Sequence, residues 1–353
     1  MRIFAGHDGG SGCAYYRMRL PLEELARRDG FEVTFADAGD DGHPPTITLK
    51  DLQGYDVIVA QRWNKHDGLP VWRRARTPYS RLVFELDDDL WNITAENWNA
   101  YQLYNRPDIR DAVEHAAETA DLVTVSTEPL AQVLREVAGH DRVTVLPNCV
   151  PDWALDLPRP RRERPRVGWQ GGASHGIDVL DVAAPVRRFL KRFPGWDLQL
   201  NGEDYRETFA APENRMFHVP WIPVYRQPEE YFASVDFDIG LCPLYPTRFS
   251  KSKSWLKPLE YAARGIPSVA SDIEPYRALI THGTDGFLVK RDHEWLLYLS
   301  MLARDEALRE KMGAAARDMA RRHVISTGAD AWEAAYRGLF PASAGTGSLK
   351  HSA

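Results

Sequence analysis

The stretch FSKSKSWLKPLEYAARGIPSVASD, Phe249 to Asp272, holds a polar loop, a helix and a strand in direct succession. The loop carries Ser250 and Lys253, and the helix opens with Lys257 and reaches Glu260 three residues on, so the two side chains share one face near the positive end of the helix. Pro258 falls in or near the first turn, where its missing N–H is tolerated. The β-branched run PSVAS after Gly265 then reads as a buried strand, and helix followed by short strand is the repeating unit of an α/β protein.

Outward from this unit the same grammar covers the chain. In the first half strands are read at RIFAG, EVTFA, DVIVAQ, RLVFEL, LVTVS and VTVLP. In the second they fall at RVGWQG, DLQLNG, MFHVP, FDIGLCPL, PSVAS and GFLV. Between them Tyr16–Arg28, Pro129–Val137, Val179–Arg192 and Glu294–Arg304 space apolar residues three and four apart, as one buried helix face requires. Two parallel sheets covered by helices are expected, one over residues 1–150 and one over 166–326. The segment 151–165 is a connector, because Pro151, Pro158, Pro160 and Pro165 forbid continuous helix or central strand. Its arginines, Arg159, Arg161, Arg162 and Arg164, are expected to form a solvated surface rather than a grip on lipid or phosphate. Residues 327–340 are expected to form a helix packed back on the first domain, and 341–353, small and polar, a flexible tail.

Composition limits what the chain does. Across 353 residues, 44% are hydrophobic and 27% charged, the balance of a folded protein. Lys and Arg total 44 against 50 Asp and Glu, a net charge of −6, which argues against dedicated nucleic-acid binding. Cys13, Cys149 and Cys242 form no CxxC pair, and no apolar run approaches membrane-spanning length, so a cytoplasmic protein is expected.

Ligands of open α/β sheets gather beyond the carboxyl ends of strands, which singles out several loops. His7–Gly12 after RIFAG offers backbone N–H groups around Gly10, and Gly168–His175 after RVGWQG offers Gly171, Gly172, Ser174 and His175, whose ring is a donor for a phosphate or a sugar hydroxyl. Lys253 and Lys257 suit a pyrophosphate, and Glu260 can accept both hydroxyls of a ribose; the same spacing also fits an ordinary exposed Lys/Glu pair. The carboxylates of Glu85-Leu-Asp-Asp-Asp89 suit a divalent ion, a general base, the orientation of acceptor hydroxyls, or a turn cap. The segment Trp91–Tyr104 is rich in aromatic residues next to Asn and Glu, which fits either a sugar or peptide acceptor or a core stripe.

The run Lys257-Pro-Leu-Glu-Tyr-Ala-Ala-Arg-Gly-Ile-Pro-Ser-Val-Ala-Ser, followed by Gly283-Thr-Asp-Gly-Phe-Leu-Val, resembles the donor-binding segment of GT-B glycosyltransferases, especially the retaining family-four type. Val145-Leu-Pro-Asn-Cys-Val resembles the end of that family's first domain, and Asp330-Ala-Trp-Glu-Ala-Ala-Tyr its last helix. The resemblance implies two facing Rossmann-like domains, the second holding a nucleotide-sugar donor, a UDP- or GDP-sugar, and the first holding an acceptor glycan, protein or small molecule. It implies transfer with retention and no metal or permanently bound cofactor, with Lys253 and Lys257 acting on the diphosphate. From the residues themselves, Asp87, Asp88 and Asp89 are expected on the acceptor side of the cleft, at most two of them reaching one site, with mutual repulsion raising at least one carboxyl toward a general-base role. Glu260 matches the second glutamate of the family's E-(seven residues)-E motif, which binds ribose; Ser252 stands where the first would be. A sugar-nucleotide epimerase and a catalytically silent sugar-nucleotide or glycan-binding module are the alternatives. Donor turnover separates an enzyme from a binder, and an isomerised donor identifies the epimerase.

Overall fold

The computed structural model describes residues 1–7, 11–36, 47–62, 68–160 and 162–340; Gly10 with Asp8 and Gly9, Arg161 and the tail 341–353 lie outside the described residues. Six strands of the first half, β1 (Arg2–Gly6), β2 (Glu32–Ala36), β3 (Val57–Gln61), β4 (Arg81–Leu86), β5 (Leu122–Val125) and β6 (Val143–Val145), form one sheet in the order β2-β1-β3-β4-β5-β6. Six more, β7 (Arg166–Gly171), β8 (Asp197–Gly202), β9 (Met216–Pro220), β10 (Ile239–Cys242), β11 (Ser268–Ser271) and β12 (Gly286–Val289), form a second in the order β12-β11-β10-β7-β8-β9. All strand pairings are parallel. Central β3 is buried along its whole length, whereas edge strand β2 alternates, which is how VIVAQ and EVTFA differ in sequence.

In each sheet the strand order reverses once, between β1 and β3 and between β7 and β10. Loops leaving strands on either side of such a reversal splay apart and open a crevice at the carboxyl edge. Registers then fix which residues line it. Gln61 pairs with Glu85, so Arg62 lies beside the start of the Asp87–Asp89 turn.

The helix Ile325–Arg337 closes the chain onto the first half: Trp332 and Tyr336 are buried against Ile3, Val57, Val59 and Val83, and Arg28 bonds Asp330 and Glu333. The expected helix over Tyr16–Arg28 is instead interrupted. Tyr15–Arg19 forms a π-helical turn before the helix Leu20–Ala26. Tyr15, Tyr16, Arg17 and Met18 are all buried, which a regular helix face does not permit for four consecutive residues, and Pro21 lacks the N–H that would bond back to Arg17.

The connector arginines correct the solvated reading. Arg162 pairs with Asp236 and Asp238, Arg159 lies 3.3 Å from Asp238, and Arg164 Nε contacts both Asp197 oxygens at 3.0 and 3.1 Å. These pairs fasten the connector along the amino edge of the second sheet. Among the described residues no helix is long and apolar enough to cross a membrane.

Candidate active site

At the reversal of the second sheet, β7 ends in Gly171, and Gly172 caps the turn Ala173–His175 that leads into the helix Gly176–Arg192. A Cβ on Gly171 would lie 2.5 Å from the Trp169 ring, so only glycine lets the chain turn over that indole. Across the crevice, Thr247 and Ser250 form a reciprocal capping box on the short helix Arg248–Lys251, and the helix Leu256–Ala263 follows. Gly240 leaves room for the Tyr261 ring over β10, and the Tyr261 hydroxyl accepts the Gln170 N–H at 2.9 Å. This contact sets the helix so that Lys257 lies over Trp169 and Glu260 beside Gln170, at the end of β7.

Lys257 Nζ is buried without a hydrogen-bond partner, 4.8 Å from the Trp169 ring centre, and Trp169 Nε1 is likewise buried and unpaired. Burial lowers the Lys257 ammonium to about 8. Two unpaired donors at one place cost free energy unless an acceptor fills it, and a buried ammonium calls for an anion. Glu260 is equally buried, and burial raises its carboxyl to about 7 against the hydrogen bonds that stabilise its charge. Its Oε1 accepts from Tyr16 at 2.5 Å and Tyr231 at 3.0 Å, and Gln170 Nε2 stands 3.4 Å from Oε2. Two hydroxyls on one carboxylate are the contacts a ribose diol would make.

The remaining second-half candidates divide. His175 Nδ1 lies 2.7 Å from Asp178, whose other oxygen accepts the Tyr245 N–H. Burial, reinforced by Lys257, lowers His175 to about 4, so the ring is neutral. With Nδ1–H given to Asp178, Nε2 is left as an acceptor for a hydroxyl, which corrects the expectation of a phosphate donor. Ser174 is exposed on the turn. Ser250 is corrected from ligand contact to loop support, because its buried hydroxyl donates to Tyr245 O and accepts from Thr247 N. Ser252 is buried, and its carbonyl accepts from Thr127 Oγ1 of the first half at 2.8 Å.

Opposite them, Arg62 stands at the end of β3 with φ +46 and gathers the first-half candidates. Its guanidinium lies 2.7 Å from Asp87, 2.5 Å from Asp88 and 3.1 Å from Cys13 Sγ. Asp88 also meets Lys253 Nζ at 3.4 Å, and that ammonium lies 4.5 Å from the Phe249 ring. Burial alone would raise Asp88; Lys253 and Arg62 outweigh it and pull the carboxyl to about 2. The expectation that mutual repulsion leaves a poised base here is therefore corrected for Asp88. Asp89 turns away, accepts from Trp91 N and Asn92 Nδ2, and caps its own turn. Glu85 also leaves the cluster: Arg17 grips both its oxygens, at 2.7 and 3.1 Å, inside the first domain. Among the described residues Cys13, Asp87 and Asp88 bring possible metal-ligand atoms within 4.8 Å of one another, but Arg62 already serves all three as the cation. Asp88→Asn is expected to cost roughly 2 kcal/mol of stability at pH 7, a difference that closes as pH falls through about 2, where wild-type Asp88 protonates; urea unfolding read against pH checks it.

No family model and no curated protein matches the chain. Among solved structures it is similar to a glycosyltransferase from Rickettsia africae (TM-score 0.68, 11% identity, 97% of this chain and 99% of that one). It is also similar to Anabaena HepE crystallised with UDP (0.67, 16%, 94% and 98%) and to Staphylococcus aureus TarM (0.57, 14%, 79% and 55%). Thus the chain spans about half the length of TarM and nearly all of the other two. The fold is GT-B. Two contacts join the candidate residues of the two halves: Tyr16 bonds Glu260, and Asp88 meets Lys253. Arg62, Tyr16, Tyr231 and Trp169 escaped the sequence reading. Arg62 was the most accessible of them, since it follows a strand bordering the reversal.

Proposed function

We propose that this protein is a glycosyltransferase that moves a sugar from a UDP- or GDP-sugar, held by the second domain, to an acceptor held by the first. The observation that carries the proposal is the buried, unpaired Lys257 ammonium beside the Gly171–His175 turn. An ammonium there is stabilised by a diphosphate and gains most as the leaving diphosphate acquires charge. Lys253 supports the same charge once donor binding draws it from Asp88. Glu260 takes the ribose in place of the Tyr16 and Tyr231 hydroxyls, and His175 Nε2 accepts a sugar hydroxyl. Two cationic side chains, with no metal, serve the diphosphate. Asp88, ionised between Arg62 and Lys253, is a weak base, which favours transfer with retention over an inverting reaction that needs one.

The pH dependence follows. Bound anion stabilises protonated Lys257, so donor binding takes up a proton near pH 8, and affinity is expected to fall as pH rises through about 8. Calorimetric titration of UDP and GDP from pH 6.5 to 9.5 tests this; affinity that stays flat to the upper limit removes Lys257 from the diphosphate.

A further inference from the structure

The aromatic stretch after β4 is not consumed by the donor site. From the Asp87–Asp89 turn the chain runs along the carboxyl edge of the first sheet, with Leu90, Ile93 and Tyr104 in the first-domain core. Phe249, on the short helix before Lys253, packs against that core, and Lys253 meets Asp88, so the start of this stretch lies against the second half. On it the helix Trp98–Tyr104 carries two rings three residues apart, hence on one face, with Tyr101 half-buried against the core and Trp98 outside it. Trp98 is 56% exposed, and its ring is stacked on Tyr101 with 6.2 Å between centroids and 17° between planes. Asn99 and Gln102 are exposed beside the rings, and Asn97, at the helix N-cap, makes no capping bond.

A large exposed indole loses contact with water only when something flat covers it. From Trp91 to Asn105 there is no Lys or Arg, and Glu96 is the single charged residue. Arg106 follows directly but is paired with Asp108, so the surface favours an uncharged ligand over a nucleic acid or phosphopeptide, which would require free cations. Stacked aromatic faces rimmed by amides match an uncharged pyranose: its C–H face lies on the rings and its hydroxyls meet Asn and Gln, which both donate and accept. We propose that Trp98 and Tyr101 form a platform for an oligosaccharide acceptor, holding sugar units beyond the one that receives the transferred group. The proposal rests on the glycosyltransferase reading for the word acceptor; the platform itself is tested without turnover.

The full chain would be labelled with 5-fluorotryptophan, the Trp98 resonance assigned by its loss in Trp98→Phe, and maltohexaose, cellohexaose, chitohexaose and mannohexaose titrated in. At least one hexasaccharide is expected to shift the Trp98 signal and to accelerate nucleoside diphosphate release from the donor. For it, Trp98→Ala is expected to raise the half-saturating concentration about tenfold, leaving acceptor-free donor hydrolysis unchanged, with Trp98→Phe restoring most of the affinity. An unmoved Trp98 signal with all four sugars, or equal half-saturation in Trp98→Ala, overturns the platform. A shifted signal without consumption of any nucleotide sugar supports the platform and counts against the glycosyltransferase reading instead.

Discussion

Lys257→Met is expected to give a protein harder to unfold than the wild type and unable to hold a nucleoside diphosphate. The wild-type ammonium falls from 10.5 to about 8 because burial removes its water and supplies no hydrogen-bond partner. Between those pH values the unfolded chain binds the extra proton, so this group makes stability rise with pH. Below pH 8 the full cost, roughly 3 kcal/mol, is present. Methionine keeps an apolar stem against Trp169 and discards the charge, so denaturant midpoints at pH 7 should rise and the wild-type gain between pH 8 and 10 should vanish. Turnover should fall by about a hundred- to a thousandfold, the size seen when one preorganised charge stabiliser is lost. A less stable variant that still binds nucleotide would assign Lys257 a packing role.

Glu260→Gln is expected to weaken nucleotide binding by about ten- to a hundredfold, the worth of one or two charge-assisted hydrogen bonds. The variant stays folded, because a glutamine oxygen still accepts from Tyr16 and Tyr231. Its pH profile distinguishes it further. A carboxyl raised to about 7 in the fold binds its proton more tightly there than in the unfolded chain. Its contribution is therefore fully present below about 4.5 and is lost as pH rises through 7. Glutamine removes that slope, so wild type and variant should diverge between about pH 4.5 and 7 in urea unfolding. Unchanged calorimetric affinity for the cognate nucleotide would leave Glu260 as a core residue held by two tyrosines.

The strands were legible because a parallel strand buried on both faces needs a continuous apolar run, and VIVAQ or RLVFEL offers no helical alternative. The Lys257–Glu260 spacing was legible because both residues sit on one helix. What spacing does not encode is partnership between distant segments. Arg62 joins Asp87 and Asp88 through the register of β3 on β4, and Lys253 meets Asp88 only because two domains face each other. Tyr16 reaches Glu260 through a π-helical turn that the apolar periodicity of Tyr16–Arg28 conceals. The connector arginines illustrate the same limit, since their aspartate partners lie at or just before the starts of strands read for their apolar residues.

The central claim, that the crevice around Lys257 takes a nucleotide sugar and breaks its glycosidic phosphate bond, is tested most directly by nucleoside diphosphate release. UDP-, GDP- and dTDP-sugars would be incubated separately with wild type and with Lys257→Met, with and without EDTA. Wild type is expected to release nucleoside diphosphate from at least one UDP- or GDP-sugar, undiminished by EDTA, and Lys257→Met to do so about a hundred- to a thousandfold more slowly. Release by neither protein from any donor, or equal release by both, would contradict the central claim.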